Sequence, residues 1–240
     1  MKLLEILQEE KLSNLKGGIY HKTQIKLTYN TNRIEGSKLT EEQTRYIYET
    51  NTLFTKNEAE ATNIDDIIET LNHFRCFDFM LKIANEPLSE NHIKEFHKLL
   101  KTNTSDAKKE WFNVGDYKSK PNMVGGNETS KPSEVNNDMA NLLERYSAIE
   151  TIKLSDIVNF HYEFEKIHPF QDGNGRVGRL IMFKECLAHH IVPFIIEDEF
   201  KFFYYRGLTE YPKVKEYLTD TCLSAQDKYK DLMQYFEIEI

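Results

Sequence analysis

The chain has 240 residues, 40% of them hydrophobic, enough to bury a core as one large domain or as a domain with an extension. A formal net charge of −8 and a pI near 5.6 exclude broad binding along a nucleic-acid backbone, which needs a basic face to release counterions. Cys76, Cys186 and Cys222 are odd in number and far apart, which argues against a disulfide framework or a zinc cluster; acidic residues appear as early as Glu5 and no apolar run reaches membrane-spanning length, so a cytoplasmic protein without membrane attachment is expected.

Helical periodicity dominates the chain. The spacing predicts helices over 3–15 and 21–34, then over 41–50 behind Thr40, where Gln43 completes a capping box. The next, over 64–84, opens at Asn63 and gathers Ile67, Ile68, Leu71, Phe74, Cys76, Phe77, Phe79 and Leu81 on one broad apolar face, and a fifth over 90–101 follows Ser89. Between 113 and 131 the pattern breaks at Gly115, Pro121, Gly125 and Gly126 around Asn122-Met123-Val124, which predicts a small β-hairpin or extended flap. Helices resume over 133–146, 155–167, 176–190, 200–211 and 213–236. The expected fold is therefore all-α, a helical bundle with a small hairpin. Its expected parts are an extension over 1–60, a core over 61–212 and a C-terminal helix over 213–240 packed on that core.

Chemistry concentrates in His168-Pro169-Phe170-Gln171-Asp172-Gly173-Asn174-Gly175-Arg176-Val177-Gly178-Arg179. A Gly-Asn-Gly turn lets successive N–H groups curl into an anion cradle, and a helix starting there aims its positive end at the same point. Gly173, Gly175 and Gly178 also match a dinucleotide fingerprint, with Glu197 and Asp198 about twenty residues on. That motif follows a buried strand, whereas Leu154, Ile157, Val158, His161, Phe164 and Ile167 recur at helical spacing upstream, so the turn joins two helices. A polyphosphate site is expected. Phe170 is read as a core anchor for the loop, His161 as a core residue, and His189 and His190 as partners of a helix C-terminus.

The same twelve residues resemble the signature H-x-F-x-[D/E]-G-N-G-R-x-x-R of the Fic family at every defined position. The resemblance implies a Fic-type helical bundle with a hairpin flap over about 89–210, and transfer of AMP from ATP, with Mg²⁺, to a Ser, Thr or Tyr hydroxyl of a protein, itself included. It makes His168 the catalytic base and Asp172 the holder of Mg²⁺. The amides of Gly173, Asn174 and Gly175 cradle the phosphates, Arg176 steadies the β-phosphate and Arg179 grips the γ-phosphate. Tyr204 and Tyr205 fall beside the adenine, with Leu208 on the same helical side, while Asn122, Met123 and Val124 dock an extended target by strand addition. Pro212 stands where many relatives carry Asn.

A second motif, Thr31-Asn32-Arg33-Ile34-Glu35-Gly36, resembles the [S/T]-x-x-x-E-[G/N] segment that inhibits Fic enzymes. Thr31 and Glu35 are four apart and share a helix face, and Gly36 suits the helix end. In this reading Glu35 pairs bidentately with Arg179 and occupies the guanidinium that the γ-phosphate needs. The expected function is a self-inhibited protein adenylyltransferase. Two alternatives stay open: another reaction on the same fold, such as AMP removal or transfer of a different nucleotide, and a nucleotide-sensing interaction module. Homo-oligomerisation also stays open.

Overall fold

The computed structural model describes residues 2–54 and 61–239. Ten α-helices, two short 3-10 helices (Asp106–Lys108 and Asp198–Phe200) and one two-stranded hairpin make up the regular structure of these residues. Helix α1 (Leu3–Ser13) ends where Asn14 turns left-handed, and α2 (Ile19–Ile34) starts at Gly18. Helix α3 (Glu41–Thr50) carries the expected Thr40–Gln43 capping box, and α4 (Ile64–Lys82) is capped by the Asn63 side chain. Helix α5 (Glu90–Lys101) begins at Ser89, and α6 (Val135–Ser147), α7 (Leu154–Ile167) and α8 (Asn174–Ala188) follow the flap. Helices α9 (Lys201–Glu210) and α10 (Glu216–Tyr235) close the chain. The flap is an antiparallel hairpin of β1 (Met123–Val124) and β2 (Asn127–Glu128), with Met123 opposite Glu128 and Val124 opposite Asn127. Its two turn residues, Gly125 and Gly126, both have positive φ, the requirement of a tight two-residue turn.

One continuous core holds the site in place. It takes Leu4 and Leu7 from α1, Leu27 from α2, Phe77 and Met80 from α4, Phe96 from α5, Phe164 from α7, Phe183 from α8 and Tyr229 from α10. Helix α8 runs through its middle, and even its charged residues Arg176, Arg179, Lys184 and Glu185 are buried. Each has an ionic partner: Lys184 pairs with Glu185 at 2.7 Å, and the two arginines are described below. The apolar face expected of α4 is only partly what packs inward. Ile67, Ile68, Leu71 and Phe79 are half-buried, whereas the polar Thr70, Asn72 and His73 are buried. Hydrogen bonds explain the exchange, since buried polar groups are tolerated when paired. Asn72 donates to the Leu100 and Thr102 carbonyls at 2.9 and 2.7 Å, and His73 bonds the Thr28 hydroxyl at 2.8 Å. No helix among the described residues is long and apolar enough to cross a membrane, and all three cysteines are buried free thiols.

Candidate active site

His168 follows directly after the last residue of α7 in the left-handed conformation, φ 52° and ψ 61°, unusual for a residue with a side chain. The turn it starts is fixed from below. Phe170 is fully buried and stacks on His97 with ring centroids 4.0 Å apart, as expected of an anchor. Asn174 braces the same turn: its Oδ1 accepts from the Phe170 N–H at 2.8 Å and its Nδ2 donates to the Phe170 carbonyl at 2.9 Å. Gly173, left-handed at φ 84°, then caps α8, whose first N–H groups have no partner within the helix and face outward at the loop. Phe170→Ala is expected to destabilise the protein by about 3–5 kcal/mol, the usual cost of emptying a fully buried phenylalanine site. Urea unfolding checks it, and a loss below about 1 kcal/mol would mean that the loop is held by something else.

A cavity of about 700 Å³ opens over this turn. His168, Asp172, Gly173, Asn174, Gly175 and Arg179 line its floor, Glu35 and Glu165 one side, and Val124, Glu128 and Thr129 of the flap another. The sequence motif thus converges on one space, with one exception. Arg176 does not line the cavity: its guanidinium is buried, with Nη1 on Glu69 Oε2 and Nη2 on Asp172 Oδ2 at 3.1 Å. Glu69 of α4 and Asp172 together hold the guanidinium behind the loop.

Asp172 also accepts from Lys101 Nζ at 2.7 Å. Lys101 is 1% exposed and holds Glu69 and Asp106 as well, at 2.6 and 2.8 Å. Burial resists ionisation of Asp172, but the Arg176 and Lys101 charges outweigh it and keep the carboxyl well below the usual carboxylate range. An ionised, half-exposed oxygen donor beside free helix amides is what a hard divalent ion carried by a polyphosphate needs. The residues present therefore fit Mg²⁺ delivered with a nucleotide.

Arg179 is gripped by Thr31 and Glu35. Its Nη2 donates to Glu35 Oε1 at 2.6 Å and to the Thr31 carbonyl at 3.1 Å, and its Nε donates to Thr31 Oγ1 at 2.6 Å. The expected two-pronged pairing with Glu35 is shared instead: Glu35 takes one nitrogen and Thr31 another, because Glu35 sits just past the end of α2 while Thr31 faces the guanidinium edge from within it. Gly36 follows with φ 102° and ends the helix. Gly175 leaves the room, since a Cβ there would overlap the Glu35 carboxylate.

His168 is buried enough, and close enough to the Lys118 charge, that its imidazole titrates at about 4 and is neutral around pH 7. Glu165, three residues earlier on α7, lies 3.8 Å from His168 Nδ1 and is pushed up to about 8 by burial and by the nearby Glu35 charge, so it holds a proton there. Its Oε1 has no hydrogen-bond partner among the described residues.

The two tyrosines part ways. Tyr204 is buried and touches the cavity, which it helps to line, while its hydroxyl bonds His161 Nε2 at 2.7 Å and accepts from Arg179 Nη1 at 3.4 Å. His161 is a core residue, as expected, but it serves the floor beneath Arg179. Tyr205 is the half-exposed ring on the wall, beside Leu208 and Pro212, and its hydroxyl donates to the Ile34 carbonyl at 3.3 Å. In the flap, Met123 and Val124 are exposed, while Asn122 turns inward and donates to the Phe170 carbonyl at 3.1 Å. His189 caps α8 and reaches Glu185 at 3.3 Å, and His190 contacts Lys2 at 3.2 Å. Glu69, Lys101, Lys118 and Glu165 were not singled out by sequence, which offers no local signal for charges whose partners lie on other helices.

Residues 87–186 match the model of the Fic/DOC family. Over 193 residues the chain is 28% identical to the protein adenylyltransferase Fic of Drosophila erecta, covering 75% of this chain and 35% of that protein. The protein adenylyltransferase fic-1 of Caenorhabditis briggsae is 26% identical over 184 residues, with the same coverage, 75% and 35%. The chain thus spans about a third of the length of these curated relatives. Among solved structures, a Fic-domain-containing signaling protein from Bacteroides thetaiotaomicron superposes with a TM-score of 0.69 at 22% identity, covering 97% of this chain and 91% of that one. Fic-1 from Caenorhabditis elegans superposes with a TM-score of 0.70 at 19% identity, covering 97% of this chain and 72% of that one. These two likenesses establish a shared fold.

Proposed function

We propose that this chain, which is a Fic-family protein with its Fic/DOC domain over residues 87–186, is a Mg²⁺-dependent protein adenylyltransferase held in check by its own Glu35. One observation carries the reading: the Glu35 carboxylate sits 2.6 Å from Arg179 in the same cavity as His168, Asp172 and the Gly-Asn-Gly turn. The adenylyltransferase names of the relatives support the reaction, and a cavity near 700 Å³ suits a nucleotide.

In the proposed reaction a Ser, Thr or Tyr hydroxyl of the target attacks the α-phosphorus of ATP and pyrophosphate leaves. His168, neutral and opening on the cavity, takes the hydroxyl proton. The amides at the start of α8 hold the phosphates. Mg²⁺, held at Asp172, would neutralise charge on the polyphosphate. Arg176, itself fixed by Glu69, keeps Asp172 in place. Arg179 takes the γ-phosphate once Glu35 withdraws, so Glu35 decides whether ATP lies in a productive pose. Tyr205 and Leu208 form the wall beside the base, and Met123 and Val124 offer the flap edge to an extended target segment.

Incubation with ATP labelled at the α- or the γ-phosphate tests the reaction. AMP transfer labels protein from the α position alone. Label from the γ position alone would replace this reading with phosphoryl transfer, and bound ATP with no label from either position would leave a sensing module.

A further inference from the structure

Lys118 is 3% exposed, yet among the described residues its ammonium meets neutral oxygens and no carboxylate. Its partners are neutral oxygens: Asn122 Oδ1 and Thr129 Oγ1, both at 2.7 Å, and the Ile167 carbonyl at 3.2 Å. Its backbone N–H donates to the Pro169 carbonyl at 2.8 Å. Ile167 and Pro169 are the two neighbours of His168, so one residue grips the chain on both sides of that left-handed histidine. Asn122 and Thr129 are the roots of the hairpin, one just before β1 and one just after β2, and Thr129 also donates to the Asn122 carbonyl at 3.0 Å. A buried charge without a counter-ion is costly, and a fold that needed only filling there would be served by an apolar side chain. The ammonium has three donors and uses them on three separate pieces of backbone or flap.

We propose that Lys118 is a positioning residue which ties the root of the target-binding flap to the His168 turn, so that a single side chain sets both the flap's register and the orientation and proton affinity of the base. Its charge opposes protonation of His168 while the Glu35 and Asp172 charges favour it, and Glu165 of α7, 3.8 Å from the ring, holds its own proton around pH 7. Loss of the one positive neighbour in this set leaves the Glu35 and Asp172 charges to stabilise the protonated imidazole.

The inference rests on His168 being the base, but its test reads the imidazole directly by NMR without turnover, so its failure is separable from failure of the transferase reading. In Lys118→Met the His168 titration is expected to move upward by roughly one pH unit, and Lys118→Arg is expected to restore it. In Thr129→Val, which keeps the charge and removes one flap acceptor, exchange of the backbone amides over 123–128 is expected to speed up and the His168 ring signal to shift. An unchanged His168 titration in folded Lys118→Met overturns the electrostatic half of the proposal. An unmoved His168 signal in Thr129→Val overturns the coupling, and does so even if the methionine variant fails to fold.

Discussion

Replacing His168 with alanine in a Glu35→Gly background is expected to lower AMP incorporation by ~10²–10⁴, the range found when a general base is removed. The geometry singles out this group. It is the imidazole on the cavity floor, it is neutral around pH 7, and it is presented by a turn that Phe170 and Asn174 hold rigid. His161 and His97 are buried in the core, away from the cavity, and burial lowers both to about 3. The pH dependence carries the same signature. A base works when deprotonated, so activity falls as pH drops through its folded pKa. The limb belonging to His168 is therefore expected near pH 4, well below the ordinary 6.5 for histidine. A rate in His168→Ala within threefold of the parent, measured with α-labelled ATP and a target peptide or the chain itself, would remove His168 from the mechanism.

The helices were legible because the apolar spacing that buries them is local, and the starts of α3, α4 and α5 were legible because Thr40, Asn63 and Ser89 announce them. The motif was legible for a different reason. His168, Asp172 and Arg179 lie within twelve residues, so a single turn and one helix bring them together. What stayed hidden were charges whose meaning depends on another helix. Lys101, in the last turn of α5, reads as an ordinary cation at a helix C-terminus, yet it is buried under three carboxylates contributed by α4, the segment after α5 and the loop before α8. Glu69 reads as a solvated residue on α4, 107 positions from the arginine it holds. Thr70, Asn72 and His73 read as its polar face and are buried because α2 and the end of α5 supply their partners. Arg176 and Arg179 share a helix face three residues apart, and nothing in that spacing tells that one faces the cavity while the other is pulled behind it.

Glu35→Gly is expected to raise AMP incorporation by about 10- to 100-fold, because a charge-assisted hydrogen bond is worth roughly 1.5–3 kcal/mol and each 1.4 kcal/mol is about a factor of ten. Two consequences distinguish release of a brake from a nonspecific change. Burial disfavours the Arg179 charge, but the Glu35 carboxylate outweighs it and holds the guanidinium firmly ionised. Removing Glu35 takes away the carboxylate paired with that buried charge and leaves its hydrogen bonds to the neutral Thr31 and Tyr204 oxygens, so the nucleotide-free variant is expected to melt below the parent. Nucleotide then restores what the mutation removed. A γ-phosphate supplies the missing anion, and the rise in melting temperature on adding ATP with Mg²⁺ is expected to be larger in the variant than in the parent, whereas AMP, which has no γ-phosphate, is expected to narrow the difference little. Activity that stays level in the purified variant, or equal stabilisation of the two proteins by ATP, would show that Glu35 and the γ-phosphate do not compete for Arg179.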